Sequence, residues 1–222
     1  VLRHSPFFER LRQIIASGQF GPVVSIQHNE NIGYYHFAHS YVRGPWNNEQ
    51  TSGPLTLTKS CHDMDILLYL LGGASCQSIA SVGGLSVFRR EHYDPDTMAP
   101  MCVDCPQKDA CAYSAPRLYG SGKIRSVVFD LSSVDKVRES LGNSPYGRCV
   151  YACDNNVADH QATAIRFDNG VTATFNLSAF TAKVNRSLKV MCQFGEIRAI
   201  EKPYLIETTD FRTDETNVIE LD

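Results

Sequence analysis

From His160 to its end the chain reads almost wholly as strands, and this limits the folds open to it more than anything else. Gln161–Phe167 and Val171–Phe180 flank Asp168-Asn169-Gly170. That triplet is a strong hairpin signal, because asparagine and glycine accept the left-handed conformations a tight turn demands. Leu188–Phe194, Ile197–Ile200, Tyr204–Thr208 and Asn217–Leu221 continue as a meander. Strands joined by hairpins pair antiparallel. The C-terminal part is therefore expected to build an antiparallel sheet that needs helices to cover one face.

The earlier half supplies those helices. Ser5-Pro6 suits a helix start, with serine as cap and proline at the first helical position. Phe7, Phe8, Leu11, Ile14 and Ile15 then recur at helical spacing, and Gly18 stops the helix. Val23–Asn31 reads as a strand, and Tyr34–Thr51 as a long aromatic loop without period. A second helix is expected from Ser60, where Ser60 and Asp63 have capping-box spacing, with Met64, Leu67, Leu68 and Leu71 as its buried stripe. Ser78–Phe88 reads as a strand with a bulge at Gly83-Gly84. Over roughly 89–148 periodicity fails apart from a short helical pattern at Ser133–Leu141. The expectation is one α+β domain over residues 1–222: a mostly antiparallel open sheet, helices on one face, and a cysteine-containing irregular insertion.

Composition closes off other classes. Of the 222 residues 43% are apolar, enough for a real core, and the net charge of −3 argues against nucleic acid as the main partner. No apolar run approaches the roughly 20 residues that span a bilayer, and no signal peptide opens the chain. Val1-Leu2-Arg3-His4 has no initiator methionine, so the chain is expected to be a piece of a longer protein. The eight cysteines fit a reduced cytoplasmic thiol pool better than a disulfide framework.

The stretch Thr58-Lys59-Ser60-Cys61-His62-Asp63-Met64-Asp65 concentrates chemistry where the second helix is expected to begin. A helix N-terminus disfavours imidazolium, so His62 there would stay neutral and could act as base or donor. Asp65, three residues on, could hold one ring nitrogen, and Lys59 could share the same mouth. The plainer reading is that His62 and Asp63 only cap the helix. Tyr35, His36, His39, Arg43 and Trp46 lead into this stretch. Arg43 could bind a carboxylate or sugar hydroxyls and Trp46 could stack on a sugar, or both could simply pin the loop. Cys102, Cys105 and Cys111, completed by Cys149, Cys153, His92 or His160, could form a structural zinc site; reduced thiols, a disulfide and an iron–sulfur cluster are the rivals. His160 in Asp159-His160-Gln161 is a further site candidate.

Residues 1–88 and 149–200 resemble the C-terminal domain of the Gfo/Idh/MocA oxidoreductases, the glucose-fructose oxidoreductase and inositol dehydrogenase group. The resemblance is carried by Leu2-Arg3-His4-Ser5-Pro6-Phe7 through Gly18 and Gly21, by Lys59-x-x-His62-x-x-Asp65 before an apolar helix, and by Arg166-Phe167-x-Asn169-Gly170. It implies a Rossmann domain upstream of Val1 that binds NAD or NADP and supplies a catalytic lysine. This chain would add the substrate wall, with His62 at the family's histidine position. The family's aspartate four residues earlier is Thr58 here, a departure that leaves Lys59 or Asp63 to replace it. Glu201-Lys202-Pro203 repeats the family's lysine motif late in the sheet, and is read as coincidence. The resemblance implies oxidation of a secondary alcohol on a sugar, polyol or related metabolite, with His62 and Lys59 catalytic. Arg43, Trp46, Tyr35, His39, Asp63 and His160 would bind substrate. It also implies a homo-oligomer formed through the open sheet face, and an isolated domain without activity. An NAD-dependent glycoside-cleaving relative and a non-catalytic, zinc-stabilised interaction domain are the alternatives.

Overall fold

The computed structural model describes residues 1–124, 130 and 132–221. Among them lie helices α1 (Pro6–Ala16), α2 (Tyr34–Phe37), α3 (Glu49–Ser52), α4 (Cys61–Leu70), α5 (Ala115–Gly120) and α6 (Val134–Gly142). The strands are β1 (Val23–Asn31), β2 (Cys76–Gly84), β3 (His160–Phe167), β4 (Thr172–Ser178), β5 (Asn185–Cys192), β6 (Gly195–Ile200), β7 (Leu205–Asp210) and β8 (Glu215–Glu220). They form one sheet in the order β2-β3-β4-β1-β5-β6-β7-β8. The architecture is α+β with a mixed, mostly antiparallel sheet.

The sheet differs from a pure meander at one place. β1 lies between β4 and β5 and runs parallel to β4, with Ser25 opposite Thr172 and Asn31 opposite Ser178. Every other neighbouring pair is antiparallel. The short link after β4 steps over the end of β1 instead of making a hairpin. Gly33 and Tyr34 donate their amides to Thr181 there, at 2.9 Å to Oγ1 and 3.0 Å to the carbonyl. Gly33 has φ +83°, and a Cβ on it would meet Val184 Cγ2 at 2.8 Å, so glycine is required at this crossing.

Burial alternates along the strands. Thr163, Ile165 and Phe167 of β3, with Ala173, Phe175 and Leu177 of β4, face inward; Ala162, Ala164, Thr172, Thr174 and Asn176 face out. The inward residues join Phe7, Phe8, Leu11 and Ile14 of α1 and Ile66, Leu67 and Leu70 of α4 in one core. Fully burying each such side chain contributes about 1.5–3 kcal/mol.

Three local expectations are corrected. Tyr34–Thr51 is largely helical: α2 runs into a π-helical turn over Ala38–Arg43, burying Phe37, Ala38, Tyr41 and Val42, and α3 follows. The second helix does not begin at Ser60, because a π-helical turn over Thr56–Ser60 feeds directly into α4. Ser60 is itself helical, makes no cap bond, and donates from Oγ to Gln161 Oε1 at 2.9 Å. The register irregularity of β2 lies between Cys76 and Ser78 rather than at Gly83-Gly84, and the strand ends at Gly84. Between β2 and β3 runs the segment expected as an insertion, with residues 125–129 and 131 outside the described set; it carries α5 and α6.

Candidate functional site

The alternation that makes β1 half core also places His28 and Glu30 on the same inward face as Ile26. Both are buried, and at such positions a polar group must find partners. They are provided from three sides. Glu30 pairs through Oε1 with Lys59 Nζ at 2.8 Å and through Oε2 with Arg186 Nη2 at 2.8 Å. Arg186 stands opposite Glu30 on β5, donates from Nε to Asp63 Oδ1 at 2.7 Å, and reaches Glu201 Oε2 from Nη1 at 3.2 Å. His28 Nε2 lies 2.8 Å from the same Asp63 oxygen. Two cations and three carboxylates thus form one continuous chain around His28.

This network corrects two roles. Asp63 neither caps a helix nor faces an open cleft; it is buried between His28 and Arg186. Asp65 does not hold His62 but forms a two-bonded pair with Arg3, at 2.7 Å from Nε and 2.6 Å from Nη2. Burial pushes the Asp63 carboxyl up, yet the bonds to His28 and Arg186 outweigh it and hold the group below the usual carboxylate range. For Glu30 the balance is opposite: burial outweighs Arg186 and Lys59, and its carboxyl is raised. Glu201, from the motif read as coincidence, is the outer carboxylate of the network.

His62 and Lys59 lie on one turn beside this network. The Lys59 ammonium is 15% exposed. His62 is half-buried, and its Nδ1 lies 3.3 Å from the Lys59 carbonyl oxygen. Donation from Nδ1 leaves Nε2 as the acceptor. Because the helix continues upstream of Ser60, the helix-terminus reason for a neutral His62 no longer applies. His62 and Lys59 do not line the cavities beside Arg43, Val134, Arg12, Tyr34 or Pro54. His36 is a further imidazole beside Lys59: burial, then the positive charges of Lys59 and His39, bring it down to about 4, so it is neutral at pH 7. Tyr41 is buried, and burial with Glu30 nearby pushes its hydroxyl up to about 12.

The remaining candidates divide. Trp46 is 45% exposed, and half-buried Tyr35 packs edge-on against Tyr34 with Lys123 near both rings. His39 is engaged beneath the segment between β2 and β3: its Nδ1 is 2.6 Å from Tyr119 Oη and its ring stacks on Tyr146 at 4.7 Å. Arg43 is held there too, donating from Nε to the Arg148 carbonyl at 2.6 Å and from Nη2 to the Tyr113 carbonyl at 2.7 Å. His160 pairs with Asp159 at 2.7 Å and points to the outward sheet face, opposite in alternation to Gln161. Sequence reasoning missed His28, Glu30 and Arg186; the signal was present, since period-two alternation puts two polar residues where β1 faces the core.

Cys102, Cys105, Cys111 and Cys149 line one cavity, but no three potential ligands among the described residues come together as a metal site. Cys102 Sγ lies 3.5 Å from the Arg148 carbonyl oxygen, and Cys153 Sγ 3.2 Å from the Cys149 carbonyl oxygen. Burial raises Cys149 and brings Cys153 up to about 11.

The site is thus a lysine–histidine turn set against a buried ion network, on an α+β domain whose sheet is backed by helices on one face. The match to the family described as the oxidoreductase family, C-terminal alpha/beta domain, covers residues 12–198, and the chain belongs to that Gfo/Idh/MocA family. It is 26% identical over 184 residues to YteT of Bacillus subtilis, a protein assigned provisionally to the oxidoreductases, covering 79% of this chain and 41% of that one. Its fold is similar to that of an NAD binding oxidoreductase from Klebsiella pneumoniae, at TM-score 0.58 and 14% identity, covering 99% of this chain and 44% of the other. A levoglucosan dehydrogenase solved with NADH and levoglucosan matches at TM-score 0.56 and 13% identity, covering 97% and 46%. The chain thus spans less than half the length of these relatives. No helix among the described residues is long and apolar enough to cross a membrane.

Proposed function

We propose that this chain is the substrate-binding domain of an NAD- or NADP-dependent oxidoreductase that oxidises a secondary alcohol of a sugar, polyol or related metabolite. The observation that carries this reading is the fixed pairing of Lys59 with Glu30 on the turn that also presents His62. Hydride leaves the carbinol carbon for a nicotinamide held by a separate nucleotide-binding domain. His62, with its Nε2 free to accept, takes or orients the hydroxyl proton. Lys59 supplies a positive charge beside the oxygen where negative charge develops, and the network behind it keeps that charge in place. Trp46 and Tyr35 offer aromatic surface to a sugar face, and neutral His36 a further hydrogen-bonding group. The dehydrogenases of similar fold support nicotinamide use, and the eight unpaired cysteines support a cytoplasmic setting. The outward sheet face, lined by small and polar residues, is the proposed contact between subunits of a homo-oligomer.

The test is cofactor reduction by the full-length protein across a panel of sugars and polyols. His62→Ala is expected to lower turnover by about 10²–10⁴-fold with the fold intact, and the domain alone to be inactive. Unchanged turnover in a folded His62→Ala protein would refute the assignment. Glycosidic cleavage without net accumulation of reduced cofactor would move the reading to the glycoside-cleaving alternative.

A further inference from the structure

Arg43 is only 3% exposed, and among the described residues no carboxylate pairs with it. Its bonds go to two backbone carbonyls and, from Nη2 at 3.4 Å, to the Cys102 sulfur. Nη1 is buried and has no partner. Cys102 Sγ also lies 3.5 Å from the Arg148 carbonyl oxygen, and no acidic side chain of the described residues reaches the guanidinium. A buried guanidinium without a counter-charge is costly unless something else brings one.

Arg43 lines a cavity of about 320 Å³. Ser114, 1% exposed, lines it as well, and its hydroxyl also lacks a partner. Met98, Tyr113 and Tyr151 give the wall apolar and aromatic surface, and Lys108 adds a second cation. A mostly apolar cavity with a few fixed polar groups is the usual form of a small-molecule site. We propose that this cavity binds a small apolar carboxylate, drawn by the positive charges of Arg43 and Lys108, whose oxygens reach the buried Arg43 Nη1 and Ser114 Oγ once these side chains shift toward the cavity, and whose body packs against Tyr113 and Tyr151. This site is separate from the His62–Lys59 turn, and its test does not depend on the oxidoreductase reading.

The probe is benzoate, with benzamide as its neutral isostere, titrated calorimetrically into the full-length protein alongside elemental analysis for zinc. Benzoate is expected to bind one to one, at least about tenfold more tightly than benzamide, the weight of one hydrogen bond to a charged group. Arg43→Met is expected to abolish binding and Ser114→Ala to weaken it several-fold. Should Arg43→Met fail to fold, the benzoate–benzamide ratio and Ser114→Ala still decide. Equal binding of both probes, no binding up to millimolar concentration, or stoichiometric zinc whose removal is needed before benzoate enters would each overturn the proposal. In the last case the counter-charge would be a metal–thiolate centre.

Discussion

Two clusters of buried charged side chains in this protein are built on opposite terms. Around β1 and β5, Lys59 and Arg186 are matched by Glu30, Asp63 and Glu201, with His28 on the shared carboxylate. Under the segment between β2 and β3, Arg43 is anchored by carbonyls and faces no carboxylate. The first cluster finds its counter-charges within the chain, although His28 Nδ1 and Asp63 Oδ2 are buried without a hydrogen-bond partner, and it serves to position a neighbour. The second is incomplete, and incompleteness in a buried charge points to a ligand. Burial of an arginine therefore says little by itself; its electrostatic balance says what it is for.

The sharpest way to break this comparison is to unbalance the charge-matched cluster. Asp63→Ala leaves Arg186 and His28 without their shared carboxylate, and is expected to cost about 3–5 kcal/mol of stability in denaturant unfolding. A cost below about 1 kcal/mol would show that the network is not a unit. Acid titration sharpens the same point. The folded pKa of Asp63 lies below its unfolded value, so its contribution is complete above the unfolded carboxylate value, about pH 4, and is lost as pH falls through the folded value. Glu30 is shifted upward, so its contribution is full below its unfolded value and is lost as pH rises through its folded one. Asp63→Asn removes the first effect and keeps the second, so the variant is expected to lose less stability than the native protein when unfolding is followed below about pH 4. The smallest effect is at the edge of the cluster. Ser60→Ala removes only the bond to Gln161, and about 1 kcal/mol is expected in the same unfolding assay.

Much of the fold was legible because its signals are local. The proline-capped α1, the Asp168–Gly170 turn and the alternation of β3 and β4 each lie within a few residues of sequence. What was hidden depends on partners distant in the chain. Tyr34–Arg43 has its apolar residues in a short helix that widens into a π-helical turn, so a 3.6-residue period never accumulates. Ser60 and Asp63 have capping spacing, but the side chain of one is drawn to β3 and that of the other to β1 and β5. The placement of β1 beside β4 depends on a link more than a hundred residues away, which no window of sequence records. At the candidate site Lys59 and His62 stood out by their own chemistry. Glu30, His28 and Arg186 did not, because their meaning comes only from facing one another.

The central place of β1 gives the molecule an assembly rule. β3–β4 and β5–β8 are each ribbons that nearby residues could zip together, yet in the sheet they pair with each other only through Val23–Asn31. That early strand is the keystone. A chain cut short of residue 32 from its N-terminal side would hold two ribbons with raw edges and nowhere to join, prone to sticking to other molecules instead.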